Sequence, residues 1–159
     1  MNEKEFYRTY EGDNIMRELN FALVDEVCKE MNPDMNFIFE FGCGQGKHLA
    51  EIKKRNRPGI NEFTGLDISF GEIIKAKANG VENLICSDDN FLLSLGDKKF
   101  TISFTCSVLC HISNENEDID WAIDALQRIS EVVIIAETQD ILPGFHWNHD
   151  YEAYGFRKI

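Results

Sequence analysis

One stretch of the 159-residue chain concentrates residues that could do chemistry: FIFEFGCGQGKHL, Phe37 to Leu49. An apolar run ends there in an acid, three glycines at alternate positions and a lysine. Glycine lets a backbone turn sharply and approach a ligand closely, and nucleotide phosphates are common ligands of such loops. A phosphate-wrapping loop, GxxxxGK[ST], counted back from Gly46 and Lys47, needs glycine at position 41 and a hydroxyl at 48. Phe41 and His48 stand there instead. A dinucleotide fingerprint, GxGxxG, fits Gly42 and Gly44 but then requires glycine at position 47. The long cationic side chain of Lys47 works against close packing of helix on strand at that point. The pattern left is an acid, Glu40, followed by GxGxG at Gly42, Gly44 and Gly46.

Further candidates follow in chain order. FTGLDIS sets Asp67 about twenty residues beyond the glycines, where an acid can accept both hydroxyls of a ribose. Asp67 and Ser69 also suit the cap of the helix that follows. ICSDDN offers Asp88 and Asp89, either as ligands or as an ordinary polar turn. FTISFTCSVLCHI carries Cys106, Cys110 and His111, and the near-neutral pKa of histidine makes His111 a candidate general base. GFHWNHDYEAYGF brings His146, His149 and Asp150 to the last segment. They either line an acceptor pocket or lie exposed while Trp147, Tyr151 and Phe156 pack. Tyr7 and Tyr10 suit a lid or plain helix packing equally. No carboxylate–histidine set has the spacing of a metal site, so no metal is expected.

These residues need a scaffold, and helix and strand patterns alternate along the chain to supply one. Asp13 or Asn14 can cap a helix with Ile15, Leu19, Leu23, Val27 and Met31 at helical spacing, broken by Asn32–Asp34. NFIFEF reads as a buried strand and KHLAEIKKR as the helix after it, closed by Arg57–Gly59. EFTGL is the second strand, SFGEIIKAKAN a helix with a capping box from Ser69 to Glu72, and NLICS the third strand. FTISFT, NEDIDWAIDALQRI and EVVIIAE continue as strand, amphipathic helix and buried strand. A short helix ending at Gly155 and the start of one more strand complete the reading. Strands separated by helices imply an α/β domain, a doubly wound and mostly parallel sheet, spanning residues 1–159 as a single unit. In such a sheet the ligand sits beyond the carboxyl ends of the strands, where Gly42–Gly46, Asp67 and His111 all fall.

The acid with GxGxG, Asp67 after the second strand, Asp88 and Asp89 after the third, and FTISFTCSVLCHI at the fourth resemble ordered motifs of the class I S-adenosylmethionine-dependent methyltransferases. The likeness runs from residue 36 to about residue 137. It implies a Rossmann-like fold, S-adenosylmethionine as cofactor, and cofactor contacts from Glu40, Gly42, Gly44, Gly46, Asp67, Ile68, Asp88, Asp89 and Cys106. In that family the glycines admit the methionine part of the cofactor and the strand-end acid helps to hold its amino group. The residue matching His111 is often structural. The family sheet usually ends in an antiparallel strand between its fifth and sixth, which the resemblance finds no counterpart for here. An exposed fifth-strand edge then suggests a homo-oligomer. The fourth motif lacks the run typical of amino methyltransferases of DNA bases and the proline–cysteine pair of cytosine enzymes. FTISFTCSVLCHI and ISEVVIIAET most resemble bacterial methyltransferases of sugar and polysaccharide biosynthesis.

Composition narrows the classes. The formal net charge of −12, from 28 acidic and 16 basic residues, disfavours a nucleic-acid partner. The basic run Lys53–Arg57 suits the last turn of a helix, where cations complement the dipole. The apolar runs are too short to cross a bilayer and the first residues are polar, so the cytoplasm is expected and a membrane is not. Five cysteines without CxxC spacing fit reduced, mostly buried thiols. Three functions stay open: methyl transfer to a small-molecule or sugar-type acceptor, probed by methylated product; cleavage of the cofactor itself; and cofactor binding without chemistry.

Overall fold

The structure, a computed structural model, describes residues 14–31, 36–55, 59–112, 119–137 and 148–158. Helix α1 (Asn14–Met31) is followed by β1 (Asn36–Phe41), α2 (Lys47–Arg55), β2 (Ile60–Asp67), α3 (Phe70–Ala78) and β3 (Asn83–Cys86). Then come α4 (Asp89–Ser94), β4 (Phe100–Cys106), a 3₁₀ turn (Leu109–His111), α5 (Asp120–Ile129), β5 (Ser130–Ala136) and a second 3₁₀ turn (Tyr151–Tyr154). The five strands form one sheet in the order β3-β2-β1-β4-β5, and every neighbouring pair is parallel. The doubly wound α/β reading is therefore correct. The order reverses between β1 and β4, so the crevice above those two strands is the switch point at which such sheets bind ligands.

Alternation along the strands divides the core. Phe39 and Phe41 of β1 face Leu92, Ile123, Leu126 and Ile129, so α4 and α5 cover one side of the sheet. Ile38 faces Phe21 and Val24 of α1, Leu49 and Ile52 of α2, and Phe104 of β4 on the other. Full burial of such side chains stabilises by about 1.5–3 kcal/mol each before conformational entropy is charged against it. Glu40 shares the face of Ile38 by strand periodicity. An ionisable group therefore points into the α1–α2 side of the core.

Most predicted elements appear where the residue patterns put them. Ser69 caps α3 by accepting from the Glu72 N–H at 3.4 Å, as its spacing implies. Helix α4 was not expected: six residues are too few for a helical period to show. The final helix is a 3₁₀ turn that Gly155 ends at φ +85, and residues 156–158 hold no strand. β5 forms one end of the sheet among the described residues. Tyr7, Tyr10, His146, Trp147 and the breaks at 32–34 and 57–58 lie outside those residues.

Candidate functional site

The chain turns sharply after β1. Gly42, Gly44 and Gly46 all have left-handed backbones, with φ of +70, +49 and +65. The N–H groups of Gly42 and Cys43 both donate to the Leu66 carbonyl, at 2.8 and 3.0 Å, which folds the loop over the end of β2. The glycines do different work. A Cβ at Gly42 would lie 2.3 Å from Val108 Cγ2, so the loop rests on the segment after β4. At Gly46 it would meet Ala76 and Val81, both at 2.9 Å, so α3 packs there. At Gly44 the nearest atom is Glu72 Oε2 at 3.9 Å. Gly44 is thus the glycine whose missing side chain leaves room for a ligand.

Carboxylates surround this loop. Asp67 accepts from Gly44 N–H at 2.7 Å and from Ser69 N–H at 2.8 Å, one bond on each oxygen. It binds the glycine loop and shapes the start of α3 at once. Burial raises its carboxyl pKa, the two backbone donors oppose that, and the charge of Glu72 adds to it. Glu72, absent from the sequence-based candidates, takes Lys75 as its partner at 2.6 Å. Cys43 lies against the same charges: burial first, then Glu40, Asp67 and Glu72, push its thiol up, so it stays protonated.

Glu40 is 1% exposed. Its Oε1 meets His48 Nδ1 at 2.8 Å, and its Oε2 is buried without a hydrogen-bond partner. The imidazole is held edge-on by the rings of Phe21 and Phe104. Burial works against a charged imidazole here, but the Glu40 charge and hydrogen bonds to Cys106 and Glu40 outweigh it and raise His48 to about 10. Glu40 is raised as well, by burial, against the attraction of His48. The strand-end acid therefore stands inside the core with its own cation, reached through α2, and Cys106 joins that pair.

The other predicted residues separate into groups. Ile68 is 75% exposed beside Asp67. Asp88 caps α4, accepting from the N–H and the side-chain amide of Asn90, both at 3.1 Å, and Asp89 is the exposed first residue of that helix. His111 ends the 3₁₀ turn after β4 and is half-buried. His149 Nε2 bonds the Leu109 carbonyl at 2.8 Å, Asp150 caps the last turn, and Tyr151 and Phe156 pack on the core. Glu40, the glycines, Asp67 and Cys106 thus converge; Asp88 and Asp89 stand at the β3 side, and His111 at the β4 side. No group of histidine, cysteine and acidic residues suited to a metal occurs among the described residues. None of their helices is long and apolar enough to cross a membrane.

A methyltransferase domain profile matches residues 39–132, from the middle of β1 into β5. The chain belongs to the methyltransferase domain family. Solved structures similar to it include a SAM-dependent methyltransferase from Archaeoglobus fulgidus, with 21% identity over 82% of this chain and 54% of that one, at TM-score 0.56. The plantazolicin methyltransferase BpumL, solved with a triazolic desmethyl analogue and SAH, has 21% identity over 84% of this chain and 51% of its own, at TM-score 0.61. The bifunctional kinase-methyltransferase WbdD has 16% identity over 79% and 29%, at TM-score 0.63. At these identities they show the shared fold, and this methyltransferase-family chain spans about half the length of the first two. No curated protein matches the chain.

Proposed function

We propose that the chain binds S-adenosylmethionine across the carboxyl ends of β1, β2 and β4 and transfers its methyl group to an oxygen of a small-molecule or sugar-type acceptor. One observation carries the reading. The glycine loop lies against the charge of Asp67, which backbone N–H groups and not a cation hold, while Lys75 and His48 offset Glu72 and Glu40. Such a field repels a phosphate chain and suits a ligand with an ammonium and a sulfonium. The absence of both phosphate-binding patterns points the same way.

The cofactor supplies a methyl group on a good leaving group, so the protein's task is to bind, orient and exclude water. Gly44 leaves space for the methionine part. Asp67 uses one bond on each oxygen for the loop and retains lone pairs for two ribose hydroxyls. Ile68 offers an apolar surface to the base, and Asp88 and Asp89 stand on the adjacent strand end. His111, on the β4 side, takes the acceptor's hydroxyl proton. Glu40 is offered to the amino group through Oε2, which His48 leaves without a hydrogen-bond partner.

Calorimetric titration with S-adenosylhomocysteine tests the reading, with NAD as control and Asp67→Ala as second protein. Binding that is lost in the variant and absent for NAD is expected; binding of NAD in its place would overturn the assignment. Methylated product from a hydroxyl-bearing sugar then establishes transfer. Cofactor breakdown without acceptor, or binding with neither, selects the other two functions.

A further inference from the structure

Beyond the residues read from the sequence stands Glu137, directly after β5. Its Oε1 accepts from Leu109 N–H and its Oε2 from Cys110 N–H, both at 3.2 Å, and Val108 N–H also serves it. A carboxylate thus receives successive backbone donors at the start of the turn that ends in His111, the donors a short helical turn leaves unpaired. The turn needs an anchor. Ser107, which leads into it, has φ +53, a left-handed backbone that a residue with a side chain adopts only at a cost. Ser107 N–H is tied to Ala136 O at 2.8 Å, so β5 holds this segment at two consecutive residues. His149 Nε2 holds the Leu109 carbonyl at 2.8 Å. What the turn presents to the crevice is Val108, the side chain against which Gly42 is folded.

Burial makes this a costly anchor. It raises the Glu137 carboxyl, while the Cys110 thiol and the backbone donors favour the charged form. The titratable groups facing it include Cys110 from the turn and the phenol of Tyr151 from the last 3₁₀ turn. Burial, with the Glu137 charge next in each case, pushes both upward. Both therefore stay neutral near pH 7, and neither repels the carboxylate.

We propose that Glu137 is a positioning residue: its carboxylate fixes the Val108–Cys110 backbone and, through Val108, the wall on which the glycine loop rests. The anchor itself is independent of the ligand; its effect on affinity rests on the cofactor reading above. Amide proton shifts of Leu109 and Cys110, followed by NMR from neutral into mildly acid pH, test the anchor in the wild-type protein. Both are expected to move together with one carboxylate titrating above the ordinary glutamate range, and to lose that response in Glu137→Gln. The Gly42 amide and the Val108 methyls should shift in the same variant.

Affinity for S-adenosylhomocysteine should fall about tenfold in Glu137→Gln, the effect of losing one charge-assisted hydrogen bond. Val108→Ala, which keeps the anchor and removes the wall, should reproduce that loss. Amides indifferent to pH overturn the proposal, as do Gly42 and Val108 signals unmoved in Glu137→Gln. If wild-type protein fails to bind S-adenosylhomocysteine while the amides titrate and Gly42 moves, the cofactor reading falls and the anchor stands.

Discussion

Glu40, next to last in β1, and Asp67, last in β2, lie on neighbouring parallel strands whose register places Glu40 beside Gly65, two residues before Asp67. Glu40 points into the side of the sheet covered by α1 and α2 and is sealed there with His48. Asp67 stays half-buried at the rim, and its partners are backbone N–H groups of the two loops it joins. A carboxylate in the core requires a cation and hydrogen bonds of its own. A carboxylate at a rim can be shaped by neutral donors and still offer lone pairs to a ligand. Two acids on neighbouring strands thus divide the labour: one is sealed into the core beside the first turn of α2, and the other ties two loops together at the rim, where the proposed cofactor reading places the ribose.

The largest effect should come from breaking the inner pair. His48→Ala leaves a buried carboxylate without its cation and should lower stability by about 3–5 kcal/mol in chemical denaturation. Adding Glu40→Gln should recover most of that loss; a double variant as unstable as the single one would show that packing of the imidazole between Phe21 and Phe104 matters more than its charge. The same pair sets a pH dependence. His48 is raised to about 10 in the fold, so its contribution is full below the ordinary histidine pKa of about 6.5 and is lost as pH rises through about 10. Melting temperature should fall across that window in the wild type and flatten in His48→Gln.

Next in size is the contact that closes the loop on β4. Gly42→Ala forces a left-handed alanine and sets its methyl 2.3 Å from Val108 Cγ2. A loss of about 2 kcal/mol in stability is expected from backbone strain and overpacking together. Pairing it with Val108→Ala should return the part due to overpacking, and no recovery would assign the whole loss to the backbone. Asp67→Asn comes lower, at about 1 kcal/mol, because one of two charge-assisted bonds to Gly44 and Ser69 weakens while the shape remains. Its loss of S-adenosylhomocysteine affinity should exceed its loss of stability, which is the outer acid's signature.

The same contrast explains what the residue patterns revealed. β1 was legible because a strand covered on both faces reads as a continuous apolar run; β5 reads the same way, but at the end of the sheet most of its side chains are half-buried rather than buried. The glycine loop was legible because left-handed turns call for glycine, and Asp67 because an acid at a strand end about twenty residues beyond such a loop suits a ribose. The Glu40–His48 pair was not, since it forms when strand alternation and the first turn of α2 bring side chains eight positions apart together. Glu137 reaches the β4 turn across 27 and 28 positions, and nothing around it in the sequence marks it as an anchor. Its one signal is its place at the carboxyl end of the fifth strand, the side of such a sheet on which ligands sit. Glu72 was read as a capping-box residue, and only the close packing of α3 on Gly46 brings its carboxylate to the loop.

Asp88 gives the smallest effect and the finest test of the division between scaffold and crevice. It stands two residues after β3, yet both its oxygens are engaged by Asn90, and the helix it caps is only six residues long. Removing such a cap costs about 1 kcal/mol, and Asp88→Asn should restore most of it because an amide oxygen also caps. Asp88→Ala is therefore expected to lower the melting temperature while S-adenosylhomocysteine affinity stays near the wild-type value once measured well below the melt. An affinity loss in Asp88→Ala as large as that of Asp67→Asn would place Asp88 with the crevice acids. The β3 rim would then hold the adenine end directly, with the cap a second use of the same carboxylate.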